Sequence, residues 1–292
     1  MAVNKNAVRR AFDRAASSYD AAAVLQHEVC RRMAGRLQLI KIAPRIILDA
    51  GCGTGNAQPL LRERFPQARL VALDIAPAML RAACARVPWW KQLLKPAVMP
   101  VCGDMERLPF AADSVGLIWS NLALQWMSDT PHAFVELHRV LAPGGLLMFS
   151  TFGPDTLKEL RVAYAAVDGP AVTKHVNRFI DLHDVGDMLV QARFGDPVMD
   201  MEPFTLTYDT ARAVMRDLKA IGATTVTEER GQGQGLGLSG KARLAALETA
   251  YEPLRRDGKL PATFEVVYGH AWKPQPRVTA SGKRIIEIKA GA

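Results

Sequence analysis

A cluster of glycines near position 50 is the first feature of this 292-residue sequence that could take part in chemistry. It reads D-A-G-C-G-T-G over residues 49–55 and directly follows an apolar run at residues 46–48. Glycine lets the backbone take positive φ angles and approach a ligand closely. In open α/β sheets, ligands bind beyond the carboxyl ends of the strands. The cluster therefore predicts a ligand site built on Asp49, Gly51, Gly53 and Gly55.

The spacing of these glycines differs from two common nucleotide-binding loops. A dinucleotide fingerprint, G-x-G-x-x-G, would place its third glycine at position 56, which is Asn56. The cluster also lacks the Lys-Ser/Thr pair of a phosphate-binding loop. Residues 235–241 fit G-x-x-x-x-G-K, but Ala242 stands where Ser or Thr must bind magnesium. We therefore predict no ATP site in either segment.

Two acidic residues follow later apolar runs and can recognise a nucleoside. Asp74 ends the run at residues 70–73, roughly twenty residues after the glycines. A carboxylate there can accept hydrogen bonds from both ribose hydroxyls. Asp104, followed by Met105, ends the next run and can accept from the adenine amino group. Taken alone, Asp74 could equally cap a helix and Asp104 could be a turn residue, but the glycine cluster favours the nucleoside interpretation.

A fourth segment, S-N-L-A-L-Q-W over residues 120–126, follows another apolar run. We expect the backbone around Asn121 to face the part of the ligand that lies beyond the nucleoside. Gln125 and Trp126 would line the side of the site where the second substrate enters. A buried tryptophan is as often a core residue as a site residue, so both interpretations of Trp126 stay open.

The elements that must position these residues alternate between strands and helices. Short apolar runs predict strands over residues 46–48, 70–73, 97–101, 115–119 and 146–151. Helical spacing or proline in a first turn predicts helices over residues 57–65, from Pro77, and from Pro131 with Thr130 as its N-cap. Residues 143–145 read as a turn. This alternation predicts an α/β fold, a parallel sheet with right-handed crossovers and helices on both faces.

The ends of the chain read differently from this central region. Residues 5–40 have helical periodicity, with a second amphipathic stretch from Val24. Beyond residue 152 we predict helices over 155–167, 180–192, 211–221 and 241–251, and strands over 264–268 and over 198–208, the latter interrupted by Pro203. The predicted organisation is a helical lid (1–45), a cofactor-binding core (46–152), the rest of the sheet with a helical cap (153–272) and a polar tail (273–292).

Composition limits the class of protein. Hydrophobic residues make up 49% and charged residues 23% of the chain, which is ordinary for a globular protein. No apolar run reaches the roughly 18–20 residues of a membrane span, so we expect no membrane partner. The four cysteines form no C-x-x-C pair, which indicates a reducing compartment. Arg9-Arg10 is followed by no apolar signal region, and Asp13 and Asp20 are unusual for a mitochondrial leader. We therefore predict a cytoplasmic protein.

The net charge of +8 favours an acidic partner. Nucleic acid and an acidic carrier protein both satisfy that condition. The sequence has no dense block of Lys and Arg interleaved with aromatic residues, so we expect no nucleic-acid partner. The six histidines have no metal-ligand spacing, and we expect no metal.

The motifs from Asp49 to Gly145 resemble those of class I S-adenosylmethionine-dependent methyltransferases. That resemblance implies a Rossmann-like, mostly parallel seven-stranded sheet and S-adenosylmethionine as the cofactor. Further segments resemble the malonyl-acyl-carrier-protein O-methyltransferases of biotin synthesis. These segments are residues 12–20 (F-D-R-A-A-S-S-Y-D) with Gln26, and residues 120–126, 150–157 and 175–179.

The narrower resemblance implies methylation of the free carboxylate of a malonyl thioester, carried by acyl carrier protein or by coenzyme A. Such a carboxylate is ionised at neutral pH and needs no general base. We expect Tyr19, a neutral donor, to orient it, with Arg178 as a nearby cation and His175 as a substrate-binding residue. Arg161 is an alternative cation. Other acceptors, namely another organic acid or a quinone precursor, stay open, as does a non-catalytic assembly factor with the same fold.

Overall fold

The computed structural model describes residues 3–86, 98–168, 179–223 and 239–276. Its centre is a seven-stranded sheet with the order β3-β2-β1-β4-β5-β7-β6. The strands are β1 (Ile46–Ala50), β2 (Arg69–Asp74), β3 (Met99–Cys102), β4 (Val115–Asn121), β5 (Leu141–Phe152), β6 (Gly195–Tyr208) and β7 (Leu260–Trp272). Strands β1 to β5 are parallel, and β7 is antiparallel to β5 and β6. This arrangement confirms the expected Rossmann-like methyltransferase fold.

Helices cover both faces of the sheet. They are α1 (Lys5–Ala15), α2 (Tyr19–Ala22), α3 (Val24–Leu37), α4 (Gln58–Arg64), α5 (Pro77–Ala85), α6 (Thr130–Val140), α7 (Lys158–Asp168), α8 (Leu182–Gln191), α9 (Ala211–Ala220) and α10 (Ser239–Tyr251). Side chains alternate along β4, so Leu117 and Trp119 pack in the same core as α3, while Ile118 packs with α6 on the other face. Strands β1, β2 and β4 are buried on both sides, which explains their continuous apolar runs.

The predicted helical region 5–40 consists of three separate helices. The prediction missed the break that follows α1. The chain leaves α1 at residue 16, and the Ser18 hydroxyl donates both to the Ala15 oxygen and to the Ala220 oxygen of α9. A serine hydroxyl competes with the backbone for helical hydrogen bonds, which favours a break at this point. The break turns Tyr19 and Asp20 towards the glycine cluster.

Three local predictions in the sheet region are corrected by the structure. Strand β6 is continuous through Pro203, because it is an edge strand paired only with β7, and proline is tolerated there. The predicted turn at 143–145 lies inside β5, where the register with β4 shifts. Helix α6 is capped by Asp129, whose carboxylate accepts from the His132 N–H, and Thr130 is already helical.

Helix α3 is fixed to the antiparallel side of the sheet by two arginines. Arg32 and Arg36 both pair with Glu202 of β6 at 2.9 Å. The Arg36 guanidinium also lies 3.9 Å from the ring centroid of Tyr268 on β7. Because α3 reaches the carboxyl edge of β4 at its other end, these contacts set how the helix crosses that edge.

A close approach between β5 and β7 generates a stability prediction. An added Cβ at Gly269 would lie 2.2 Å from the Phe149 ring, which is itself fully buried. We expect Gly269→Ala to lower the free energy of unfolding by about 1–3 kcal/mol, since the ring has no space to move into. Gly186 of α8 is the matched control, because its nearest neighbour would be 3.9 Å away. Gly186→Ala should be neutral or mildly stabilising. Urea midpoints measure both, and equal midpoints for the two variants would contradict the packing argument.

Candidate functional site

A cavity that is partly open to solvent lies at the carboxyl ends of β1, β2 and β4. Its base is formed by Gly51 and Gly53, and the lid helices cover it with Phe12 and Tyr19. The position is the one at which open α/β sheets bind ligands. The predicted site residues that line it are Tyr19, Gly51, Gly53, Asp74, Asp104, Met105, Asn121, Gln125 and Trp126.

Four other predicted site residues are not among the described residues that line the cavity. Asp49 and Gly55, the first and last residues of the glycine cluster, are not lining residues. His175 and Arg178 lie outside the described residues. The alternative cation, Arg161, donates to the main-chain oxygen of Pro154 and is likewise not a lining residue.

The glycine cluster folds as the sequence requires. Gly51, Gly53 and Gly55 have φ angles of 75°, 52° and 83°, which glycine adopts readily. A Cβ at Gly51 would lie 2.4 Å from the Cβ of Ala123. The N–H groups of Gly51 and Cys52 both donate to the Leu73 oxygen, at 2.8 and 3.0 Å. The loop is therefore fixed to the end of β2.

Asp74 is the polar centre of this arrangement. One carboxylate oxygen accepts from the Gly53 N–H at 2.9 Å, and the other accepts from the Ala76 N–H at 2.8 Å. Burial raises the pKa of Asp74 to about 6, and these N–H donors oppose the rise. The group is thus mainly ionised at neutral pH. A carboxylate has about four acceptor positions, so it retains capacity for a ligand hydroxyl.

Asp49 is more deeply buried, with 1% of its surface exposed. Its Oδ2 has no hydrogen-bond partner among the described residues. Burial raises the pKa of Asp49 to about 8, and the Asp74 carboxylate adds to the rise. An acidic group in this state destabilises the folded protein wherever it is ionised.

The adenine side of the predicted site includes a residue that the sequence analysis missed. Lys5 of α1 pairs with Asp104 at 2.8 Å and with Glu106 at 3.1 Å. The same Asp104 oxygen accepts from the Glu106 N–H at 3.0 Å. Lys5 is the one cation among the described lining residues, and it is neutralised by these two acids.

The end of β4 carries an amide network. Asn121 donates from Nδ2 to the main-chain oxygen of Gln26 on α3 at 3.1 Å, and its Oδ1 accepts from Ser150. Gln125 donates from Nε2 to the Leu122 oxygen at 2.7 Å. The network joins the lid helix α3 to the sheet edge.

Trp126 contributes both to the core and to the cavity wall. It is buried, lines the cavity, and meets the Phe12 ring of α1 edge-on with 5.4 Å between ring centroids. Both interpretations from the sequence therefore describe its location.

Acidic residues of the lid bind it to the core, and the sequence analysis missed their roles too. Asp20 accepts from the Thr54 hydroxyl of the glycine cluster at 2.5 Å and from Arg86 at 2.6 Å. Asp13 accepts from the Ala78 N–H in the first turn of α5 at 2.9 Å. The available signal was the presence of two acids, Asp13 and Asp20, in an amino-terminal segment that is otherwise rich in Lys and Arg.

Tyr19 lies between the lid and the glycine cluster. Burial raises the pKa of its phenol above the ordinary value, and the carboxylates of Asp74 and Asp20 raise it further. The phenol therefore stays protonated across the physiological range and can donate a hydrogen bond to an anion.

The described ranges hold neither a candidate metal centre nor a membrane-spanning helix. They contain no group of three or more His, Cys, Asp and Glu side chains that could hold a metal ion. Nor does any helix in them combine the length and apolarity of a membrane span.

The buried Asp49 carboxyl gives a pH-dependent prediction. The folded state binds its proton more tightly than the unfolded chain, so this group lowers stability as the pH rises from about 4 to about 8. Asparagine cannot ionise, so the Asp49→Asn substitution removes this loss of stability. We expect Asp49→Asn to unfold at a higher temperature than the parent protein at pH 8 and at the same temperature near pH 4. The exposed Asp187→Asn is the control and should show no such difference. A loss of stability at pH 8 in the buried variant would refute the assignment.

Comparisons with known proteins agree with this geometry. Residues 48–149 match the family model of a methyltransferase domain. A malonyl-acyl-carrier-protein O-methyltransferase from Gallionella capsiferriformans is 58% identical over 286 residues, 98% of this chain and 96% of the relative. The same enzyme from Laribacter hongkongensis is 53% identical, with the same two coverages, 98% and 96%.

Similarity to a solved structure concerns the fold alone. Phosphoethanolamine N-methyltransferase 2 of Haemonchus contortus, in complex with S-adenosyl-L-methionine, aligns with a TM-score of 0.55 at 18% identity. The alignment covers 90% of this chain and 57% of that one.

Because the relatives from Gallionella capsiferriformans and Laribacter hongkongensis match at high identity over nearly their whole length, the chain belongs to the malonyl-acyl-carrier-protein O-methyltransferase family.

Proposed function

We propose that this protein transfers the methyl group of S-adenosylmethionine to the free carboxylate of a malonyl group on acyl carrier protein, an early step of biotin synthesis. One observation carries the proposal: the Asp74 carboxylate faces the cavity while it fixes the positive-φ glycine loop. That arrangement occurs in a chain whose near-full-length relatives carry this enzyme name.

The charge of the cavity supports S-adenosylmethionine as the cofactor. Asp74 supplies negative charge, and Lys5 is already neutralised by Asp104 and Glu106. A cofactor that carries a sulfonium and an ammonium group matches that balance. The fold neighbour from Haemonchus contortus was solved with the same cofactor.

We assign cofactor contacts by position along the cavity. Asp74 would accept from the ribose hydroxyls, with the backbone of Gly51 and Gly53 close to the sugar and sulfur. Asp104 would accept from the adenine amino group through its second oxygen, since the first is shared by Lys5 and Glu106. Met105 is buried in this wall and would pack on the adenine.

Positioning and exclusion of water are the tasks left to the protein. When bound, S-adenosylmethionine supplies a methyl group that is already activated by its sulfonium. The acceptor carboxylate is ionised, so no residue has to remove a proton. Tyr19 would donate to the carboxylate, and Trp126 and Phe152 would exclude water from the reacting atoms. Near-attack geometry of this kind supplies several kcal/mol of barrier reduction.

A neutral donor suits this reaction better than a cation would. The carboxylate loses its negative charge as the ester forms, and a strong ion pair with the reactant would have to be broken on the way. Gln125 would contact the acceptor from the β4 side. Arg178 and His175, which lie outside the described residues, are kept as proposed substrate contacts on the family resemblance alone.

The carrier is inferred from the net charge and the relatives' names, and the compartment from the cysteines. The net charge of +8 favours an acidic carrier, and the relatives' names specify acyl carrier protein. Malonyl-coenzyme A would bring the same malonyl thioester. The four cysteines, all of which the structure describes, form no disulfide, as expected in a reducing compartment, and we propose the cytoplasm.

Methyl transfer from labelled S-adenosylmethionine tests the proposal directly. We expect transfer to malonyl-acyl carrier protein, less to malonyl-coenzyme A, and a fall of at least 100-fold in Asp74→Ala, by the order of magnitude of two lost charge-assisted bonds. Asp187→Ala makes the same change on the surface and should retain full activity. Cofactor binding without transfer would mean another acceptor. Absence of both would favour a non-catalytic role.

Tyr19→Phe tests the orienting donor. We expect turnover to fall by more than tenfold, the scale of one hydrogen bond to a charged group, with cofactor affinity unchanged. Tyr208→Phe is the control, because it removes the same hydroxyl from β6, where the phenol bonds to Asp217 away from the cavity lining. Its turnover should equal that of the parent. Unchanged turnover in Tyr19→Phe would show that Tyr19 does not orient the acceptor carboxylate. A loss of cofactor affinity would mean that Tyr19 binds the cofactor instead.

A further inference from the structure

Gln26 of α3 is a buried residue of the cavity wall whose side-chain oxygen, Oε1, has no hydrogen-bond partner among the described residues. Only 8% of the residue is exposed, and it lines the cavity. Its Oε1 accepts no hydrogen bond from the described part of the chain. Buried polar atoms in native proteins are almost always paired, so this oxygen points to a ligand donor.

The surrounding structure holds Gln26 in place. The Asn121 amide donates to its main-chain oxygen, and Ser150 in turn donates to Asn121. One turn further along α3, the buried thiol of Cys30 has its pKa raised to about 12, mainly by burial and then by the Asp49 carboxylate. This stretch of α3 therefore lies over the carboxyl ends of β1 and β4.

Gln125, the other glutamine that lines the cavity, has a partner for its side-chain oxygen. The Gln125 amide donates to Leu122, and its Oε1 accepts from Thr151 at 3.4 Å. Asn121 is likewise engaged through both ends of its amide. Within the described wall, Gln26 is thus the side-chain amide with an unused acceptor, and Asn121 serves to position it.

The reactants offer few donors that could satisfy this oxygen. A malonyl group has no N–H or O–H when ionised, and a sulfonium has none. The ribose hydroxyls and the adenine amino group are assigned above to Asp74 and Asp104, and Lys5 is occupied by Asp104 and Glu106. The α-ammonium of the cofactor's methionine part is the cofactor donor that these assignments leave unused. We propose that Gln26 binds the α-ammonium group of S-adenosylmethionine through Oε1. This inference rests on the proposed function.

Binding of two cofactor analogues tests the contact. S-adenosylhomocysteine retains the amino-acid end, and 5′-methylthioadenosine lacks it. We expect Gln26→Leu to weaken S-adenosylhomocysteine by roughly tenfold or more in calorimetry, the scale of a hydrogen bond to a charged group, and to leave methylthioadenosine unchanged. Gln38→Leu is the matched control, since Gln38 is exposed at the end of the same helix. It should change neither affinity.

Gln26→Glu separates an ammonium partner from a carboxylate partner. Glutamate still accepts from an ammonium, so this variant should bind S-adenosylhomocysteine better than Gln26→Leu does. If Gln26 instead contacted a carboxylate, of the cofactor or of the malonyl group, Gln26→Glu would be the weaker binder. Weaker S-adenosylhomocysteine binding by Gln26→Glu than by Gln26→Leu would overturn the inference. So would an equal loss of affinity for both analogues in Gln26→Leu, or no loss of affinity in that variant. Failure of the parent protein to bind S-adenosylhomocysteine would overturn the proposed function as well.

Discussion

The structure depends on one buried carboxylate that bonds to two segments. Asp74 ends β2 and binds the N–H of Gly53 in the glycine loop and the N–H of Ala76 ahead of α5. Both segments must therefore approach the end of the same strand. Because each N–H donor stabilises the ionised form, Asp74 stays charged at neutral pH despite its burial. The shape of the cavity base follows from that constraint.

The lid depends on the same base. Asp20 bonds to Thr54 within the glycine loop, and Asp13 bonds to the first turn of α5. The helices that cover the cavity thus contact the segments that Asp74 fixes. Tyr19 is next to Asp20 in sequence, so the Asp20–Thr54 hydrogen bond holds the proposed orienting donor beside the glycine loop.

The sequence predicted the central fold and the cavity well, for a physical reason. Buried parallel strands are short apolar runs, and residues at their carboxyl ends converge, so Gly51, Asp74 and Asn121 could be grouped from their positions in the sequence. Long-range contacts left weaker signals. Lys5 and Asp20 look like ordinary surface charges on amphipathic helices, and their partners Asp104 and Thr54 lie 99 and 34 positions away. The continuity of β6 through Pro203 needed the strand order, which local propensity does not contain.

The closing of α1 against α9 has a consequence for how the chain is made. Ser18 bonds to the Ala220 oxygen, 202 residues later, and Lys5 bonds to Asp104, 99 residues later. The amino-terminal segment leaves the ribosome before these partners, and Ala220 does not exist until a further 202 residues after Ser18 have been translated. At cellular elongation rates that delay is on the order of ten seconds or more. Helix α1 can pack on α5 early, because Ala76 and Met79 follow it closely in sequence. The cavity wall also includes Ile221 and Ala223, so it is completed only once that later segment has been made.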